Sequence, residues 1–247
     1  MAANLLQACS RPAQGPYYLS RHAFACLGDH HCVFLDLRRD VYLTVGRDDI
    51  EALSPWVVGW KEEKLADVAD RPVPGTLLQI ADQLLERGLL TTVPSQGKEL
   101  AFPRIAIPTS ELERQDNHEH VSNRHAFNFF RASMDAWASL RWKPLEHTIN
   151  GVRERKQSGS SIRRSSDNDT HLVEIFDYLR PYFPRDYLCI FDSLALVNFL
   201  ARYKVFPDWI FGVRSDPFSA HCWVQQDSHV LNDSVEHVQS YLPIMSV

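Results

Sequence analysis

The sequence of 247 residues predicts an α+β protein, and three observations predict this class. Within residues 17 to about 95, β-rich segments come first and helical segments follow, which is the order of a segregated α+β unit. In the C-terminal tail, one apolar helix precedes a run of strands. The composition is 45% hydrophobic and 11% aromatic, which is enough to build a core.

The first predicted elements form a β-hairpin. Residues 33–37 and 41–45 are rich in β-branched and aromatic residues, and they flank a charged turn at 38–40. Residues 17 to 24 are predicted to add another strand.

Two helices are predicted after the hairpin. The first begins at Asp48, has two acidic residues in its first turn and runs through Trp60. The second covers residues 74–87 and carries apolar residues at helical spacing. Gly88 follows it, in the position where a glycine commonly ends a helix.

The middle of the chain predicts a change of domain. Residues 96–125 are polar, contain prolines and predict a linker or a surface insertion between a domain at 1–95 and a domain at 126–247. Residues 126–140 predict a helix, and the segment 156–169, rich in serine and arginine, predicts a mobile loop.

The C-terminal domain is predicted to continue with a helix over 170–182 and an apolar helix from Cys189 to about Tyr203. Strands are predicted at 209–213, 220–225 and 230–232, and the last two are joined by a turn.

The global properties exclude several classes of protein. The net charge is −5 and the pI is about 6.1, which argues against binding of nucleic acid or of an anionic membrane. No apolar run reaches the roughly 18 residues of a membrane span, and the N-terminus lacks the features of a signal peptide. The five cysteines are odd in number and irregularly spaced, which favours reduced thiols and a cytoplasmic location.

No metal and no cofactor are predicted. Cys26 and Cys32 enclose two histidines, but no second cysteine or histidine pair follows at zinc-finger spacing. The sequence also lacks a P-loop.

The tail contains Cys189, His221 and Asp233 in contexts suited to a cysteine-dependent acyl-transfer triad. Cys189 begins a helix, where free N–H groups and the helix dipole favour a thiolate. A thiolate needs a base and a group that orients the base, and a strand histidine followed by Asp233 supplies both. Taken singly, the three residues are more typical of a core cysteine, a structural histidine and a turn carboxylate, so the hypothesis depends on their combination.

Three neighbours of this set are interpreted as bystanders. Cys222 adjoins His221, but neighbours on a strand point to opposite faces, so we expect Cys222 to be poorly placed to pair with that histidine. His229 and His237 are expected to be surface groups.

With these residues in hand, the tail closely resembles the lasso-peptide maturation B proteins. The resemblance covers roughly residues 165–247 and rests on Cys189 followed by Ser-Leu-Ala-Leu at 193–196, and on the blocks at 211–214, 217–224 and 230–234. It implies a papain/transglutaminase-like cysteine peptidase domain with Cys189 as nucleophile, His221 as base and Asp233 as orienter. The family usually has a small residue where this chain has Cys222.

Residues 17 to about 95 look like the leader-binding domain of the same family, a RiPP recognition element similar to the pyrroloquinoline-quinone D protein. The resemblance implies a winged-helix-like unit that binds a leader peptide as an added strand on a sheet edge. The candidate leader-binding residues are Val33, Leu35, Val41, Leu43, Leu77 and Leu84. A plain α+β domain without a ligand is the alternative.

The resemblance therefore implies a peptidase that removes the leader of a ribosomally made precursor during lasso peptide biosynthesis. Its partners would be the precursor peptide and an asparagine-synthetase-like lasso cyclase, with no nucleic acid and no membrane. Two alternatives remain open: a non-catalytic scaffold that delivers the precursor to the cyclase, and a transglutaminase-type acyl transferase.

Overall fold

The computed structural model describes residues 15–60, 73–112, 121–159 and 166–247. The chain is mixed α+β and divides into two compact units, Met1–Phe102 and Pro103–Val247. Among the described residues, no helix combines the length and the apolar character needed to cross a membrane.

The described part of the N-terminal unit contains two three-stranded antiparallel sheets and two α-helices. One sheet has the order β5-β1-β6 and the other the order β2-β3-β4. The elements are β1 (Tyr18–Ser20), β2 (Ala23–Leu27), β3 (His31–Asp36), β4 (Val41–Gly46), α1 (Arg47–Leu53), α2 (Gly75–Glu86), β5 (Leu90–Thr91) and β6 (Gly97–Lys98).

The predicted hairpin is confirmed, because β3 and β4 pair antiparallel with Asp36 opposite Val41. The Asp36 carboxylate closes the turn by accepting hydrogen bonds from the backbone N–H groups of Arg38 and Arg39, at 3.0 and 3.2 Å. Asp40 has a φ of 55°, a left-handed conformation that aspartate tolerates better than most residues.

The second predicted helix is also confirmed as α2, and Gly88 follows it with a φ of 73°. The first helix is shorter than predicted. It ends at Leu53, and a 3₁₀ turn at Ser54–Trp56 follows instead of a continuation to Trp60. Pro55 explains the early end, because it has no N–H to continue the α-helical hydrogen bonds.

The described part of the C-terminal unit packs helices against a five-stranded sheet of order β11-β8-β9-β10-β7. All neighbours in this sheet are antiparallel except β10 and β7. The elements are β7 (Ser110–Glu111), α3 (Asn123–Trp142), α4 (Leu145–Gly159), α5 (Ser166–Leu179), α6 (Cys189–Ala201), β8 (Asp208–Ser215), β9 (Phe218–Gln226), β10 (His229–Val230), α7 (Val235–Gln239) and β11 (Leu242–Ser246).

The prediction of a mobile loop over 156–169 was wrong for most of that segment. Helix α4 continues to Gly159 and α5 begins at Ser166, and only 160–165 lie outside the described residues. Tertiary hydrogen bonds hold the end of α4: Arg155 donates to Asn198 at 2.6 Å, and Lys156 donates to the carbonyl of Val247 at 3.1 Å. Composition alone does not reveal such contacts.

Helix α6 is the centre of this unit, and it packs against α3, α5 and β9. Its residues are buried from Phe191 to Leu200 except for the half-buried Asp192. An amphipathic surface helix would expose one face, so this burial on all sides explains the continuous apolar run. The packing holds the N-terminus of α6, and with it Cys189, beside strand β9.

Candidate active site

Cys189 is the first residue of α6, as predicted. Leu188 before it is extended, with φ −137° and ψ 125°, so the chain enters the helix sharply at the cysteine. The N–H groups of the first helical turn have no partner within the helix, and the helix dipole adds positive potential there. A thiolate or a developing oxyanion is stabilised at such a position.

A buried arginine fixes the segment that leads into Cys189. Arg180 is 3% exposed and forms an ion pair with Asp192 in the first turn of α6. The Asp192 carboxylate also accepts a hydrogen bond from the N–H of Leu188 at 2.7 Å. Arg180 donates in addition to the carbonyls of three residues of the preceding loop, Phe183, Arg185 and Asp186. One guanidinium thus ties the loop to the helix that carries Cys189.

His221 lies on β9 and Asp233 lies after β10, and their side chains are hydrogen-bonded. The distance from His221 Nε2 to Asp233 Oδ2 is 2.5 Å. Both side chains are mostly buried, with exposed fractions of 13% and 18%. The interaction is therefore shielded from water, which strengthens it.

Cys189 and His221 each shift the pKa of the other, so the ionisation of the two side chains is coupled. Hydrogen bonds from Cys222 and from His221 lower the pKa of Cys189 to about 4, although burial opposes this. Burial would lower the pKa of His221, but the bonds to Asp233 and Cys189 outweigh it and raise the pKa to about 9. At neutral pH the pair is therefore a thiolate and an imidazolium.

Cys222 contributes to the site in a way that the sequence analysis missed. Its thiol is buried and interacts with three side chains, those of Cys189, Ser193 and Trp209. The hydrogen bond to Cys189 and the burial raise the pKa of Cys222 well above its ordinary range, so it stays protonated and donates. The alternation of side chains along a strand predicts that Cys222 and His221 point to opposite faces of β9. It does not predict which residues of helix α6 lie against Cys222.

A buried chain of hydrogen bonds links α6 to the strands. Asn232 accepts from the N–H of Val224 at 2.7 Å and donates to Ser193 Oγ at 3.1 Å. Ser193 Oγ in turn donates to the carbonyl of Cys222 at 3.1 Å. These bonds fix the position of α6 against β9, next to Cys189 and His221.

His237 is a second histidine at the same carboxylate, and the expectation that it is only a surface group was incomplete. Its Nδ1 lies 2.9 Å from Asp233 Oδ1 and 3.1 Å from Oδ2. The spacing of four residues between Asp233 and His237 is the sequence signal that could have revealed this contact. His221, Asp233 and His237 also place potential metal ligand atoms within 4.8 Å of one another.

The six candidate leader-binding residues do not share one surface. Val33 and Leu35 are buried on β3, which is the central strand of its sheet and pairs on both sides. Leu84 is buried in the core, and Leu77 packs against that core. Val41 and Leu43 alone among the six line a cavity of about 310 Å³ at the edge strand β4. Its other lining residues are Asp36, Arg39, Glu86, Arg87 and Leu89.

Comparison with known families gives one match. Residues 134–246 match the transglutaminase-like superfamily, so the C-terminal part contains a transglutaminase-like domain that includes Cys189, His221 and Asp233. Such a domain is compatible with a cysteine peptidase or an acyltransferase. No curated protein and no solved structure matches the chain.

Proposed function

We propose that this protein is a cysteine peptidase that removes the leader of a ribosomally made precursor peptide during lasso peptide biosynthesis. The observation that supports the chemistry best is the hydrogen-bonded series Cys189–His221–Asp233, with Cys189 as a thiolate. The resemblance of the tail to lasso-peptide maturation B proteins supports the choice of substrate.

In the proposed mechanism, the Cys189 thiolate attacks the scissile carbonyl. The backbone N–H of Cys189, at the start of α6, stabilises the oxyanion of the tetrahedral intermediate. His221 then gives its proton to the leaving amine, and a thioester to Cys189 remains. Water, deprotonated by His221, hydrolyses the thioester, while Asp233 holds the imidazole in the required orientation.

The superfamily match supports transglutaminase-type acyl transfer as well as hydrolysis. The two reactions share every step up to the thioester and differ only in the group that accepts the acyl chain. Water gives hydrolysis and a free carboxylate, whereas an amine gives a new amide. The products therefore distinguish a peptidase from a transglutaminase-type enzyme.

The cavity at β4 supports recognition of the leader by the N-terminal unit. Within the described residues, β4 pairs only with β3, so its other edge offers main-chain groups to an added strand. Val41 is 49% exposed and lines the cavity together with Leu43 and Leu89, which suits an apolar side chain of the leader. Arg39, Arg87 and Glu86 add charges of both signs for polar contacts.

In this proposal the product amine becomes the nucleophile for an asparagine-synthetase-like lasso cyclase. That partner is inferred from the family resemblance, and it would supply the activated carboxylate that closes the macrolactam.

The experiment uses the purified chain, a precursor peptide from an adjacent reading frame, and mass spectrometry. We expect two fragments whose masses add up to that of the precursor plus one water, and no fragments with Cys189→Ala. Binding without cleavage by the wild type would favour the scaffold, and a product joined to an added amine would favour the transferase. Val41→Lys should weaken leader binding, whereas Val93→Lys, at a similarly exposed position outside the cavity, should not.

A further inference from the structure

The carboxylate of Asp233 is held from three directions. His221 Nε2 lies 2.5 Å from Oδ2, and the N–H of Ser234 donates to Oδ1 at 2.8 Å. His237 Nδ1 lies 2.9 Å from Oδ1 and 3.1 Å from Oδ2, so it spans both oxygens. A carboxylate has a free torsion about its last bond, and a donor that contacts both oxygens restricts that torsion.

His237 is itself fixed by its own helix. Ser234 caps α7, and its hydroxyl oxygen accepts a hydrogen bond from the backbone N–H of His237 at 3.2 Å. The rings of His237 and His221 lie 4.6 Å apart between centroids, and Tyr241 contacts both rings. The hydrogen bond to Asp233 uses Nδ1 of His237, and the side chain is 47% exposed overall.

We propose that His237 is a positioning residue that holds the Asp233 carboxylate towards His221, which makes the site a series of four side chains rather than three. This inference rests on the proposed function, because it assigns His237 a role in activating Cys189. His237 does not touch the reacting thiol. It acts through Asp233, whose orientation determines how well the imidazolium of His221 is stabilised.

A purely structural role for His237 would be to secure α7 at the end of the sheet. The two roles predict different behaviour. Loss of a helix contact lowers the free energy of unfolding but leaves the ionisation of Cys189 unchanged. Loss of the carboxylate's orientation destabilises the thiolate–imidazolium pair, so the thiol takes up its proton at a higher pH.

The test compares His237→Asn with His237→Gln. The Nδ2 amide of asparagine occupies the position of histidine Nδ1 and can donate to Asp233, whereas the glutamine amide lies near the position of Nε2. The full-length variants and His237→Ala are treated with iodoacetamide between pH 3 and pH 9, and modification of Cys189 is followed by mass spectrometry. His229→Ala, at an exposed histidine on β10, is the matched control.

We expect the pH midpoint of Cys189 alkylation to rise by about one unit in the alanine and glutamine variants, because hydrogen bonds to charged groups have roughly this effect. The asparagine and His229→Ala variants should retain the wild-type midpoint. If all variants titrate as the wild type does, the role of His237 is refuted while the activated Cys189 stands. If Cys189 of the wild type itself titrates as an ordinary thiol, the proposed function fails together with this inference. If alanine prevents folding, the contrast between asparagine and glutamine decides.

Discussion

The thiol of Cys222 donates a hydrogen bond to the sulfur of Cys189, although the two residues belong to a strand and to a helix that are far apart in sequence. Among the causes that lower the pKa of Cys189 to about 4, this bond is the largest, ahead of the bond from His221. The ionisation of the proposed nucleophile therefore depends on a buried second thiol as well as on His221.

Cys222→Ala should raise the pKa of Cys189, because it removes this donor. Alkylation of Cys189 near pH 5 should fall, and alkylation at pH 8 should change little because His221 still pairs with the thiolate. Cys222→Ser keeps a donor and serves as the control. An identical pH profile in the alanine variant would contradict the contact.

The thiolate–imidazolium pair predicts a specific dependence of stability on pH. The pKa of Cys189 is depressed from 9.0 to about 4, so the pair's contribution is lost as the pH falls towards 4. The pKa of His221 is raised from 6.5 to about 9, which alone would reduce stability between pH 6.5 and 9. Over that interval the gain from Cys189 offsets this loss.

We therefore expect the free energy of unfolding to rise from about pH 4 to about pH 6.5 and then to stay level to about pH 9. The lowered pKa of Asp233, which burial opposes but the bonds from His221, His237 and Ser234 produce, adds to the loss in acid. Urea denaturation of the wild type and of Cys189→Ala across this range measures the difference. A difference that is constant with pH would contradict the ion pair.

The buried ion pair of Arg180 and Asp192 should be important for stability. Arg180→Ala leaves the half-buried carboxylate of Asp192 and three loop carbonyls without their donor, and breaking a buried pair typically costs about 3–5 kcal/mol. Arg202 pairs with Asp135, whose side chain is 53% exposed, so Arg202→Ala should cost about 0–1 kcal/mol. Chemical denaturation compares the two variants, and equal losses would show that burial of Arg180 has no special effect.

Gly212 on β8 is paired with His221 on the neighbouring strand β9. Its lack of a side chain allows the aromatic rings around that histidine to pack closely. A Cβ at this position would lie 2.8 Å from Trp223 and 2.9 Å from Tyr241. We expect Gly212→Ala to cost about 1–3 kcal/mol and to reduce activity, because both rings flank His221.

Gly151 on helix α4 is the matched control for that substitution. A Cβ there meets nothing within 4 Å, so Gly151→Ala should stabilise the protein by up to about 1 kcal/mol through helix propensity. If Gly212→Ala were as stable and as active as the wild type, the rings could not be packed as described.

The sequence was most informative where local pattern determines structure. The start of α6 at Cys189, the strand that carries His221 and the hairpin with its turn at 38–40 all follow from apolar periodicity and turn chemistry. The same patterns did not reveal α4, because its end is held by hydrogen bonds from Arg155 and Lys156 to distant segments.

The supporting residues of the site were missed for the same reason. Cys222 and Arg180 act through contacts made only after packing, and a single sequence gives no signal for which buried arginine lies under which loop. The candidate leader-binding residues include both buried and accessible positions. Apolar alternation along a strand does not distinguish the central strand β3 from the edge strand β4.

The most direct test of the central claim is the pH dependence of Cys189 alkylation in the wild-type protein. A thiol with a pKa of about 4 is already ionised at pH 5, so its rate should vary by less than about threefold between pH 5 and pH 8. An ordinary thiol, with a pKa near 8.5, would react roughly tenfold faster with each pH unit over most of that range. A level profile at Cys189 is the predicted result, and a tenfold rise per unit would contradict the account.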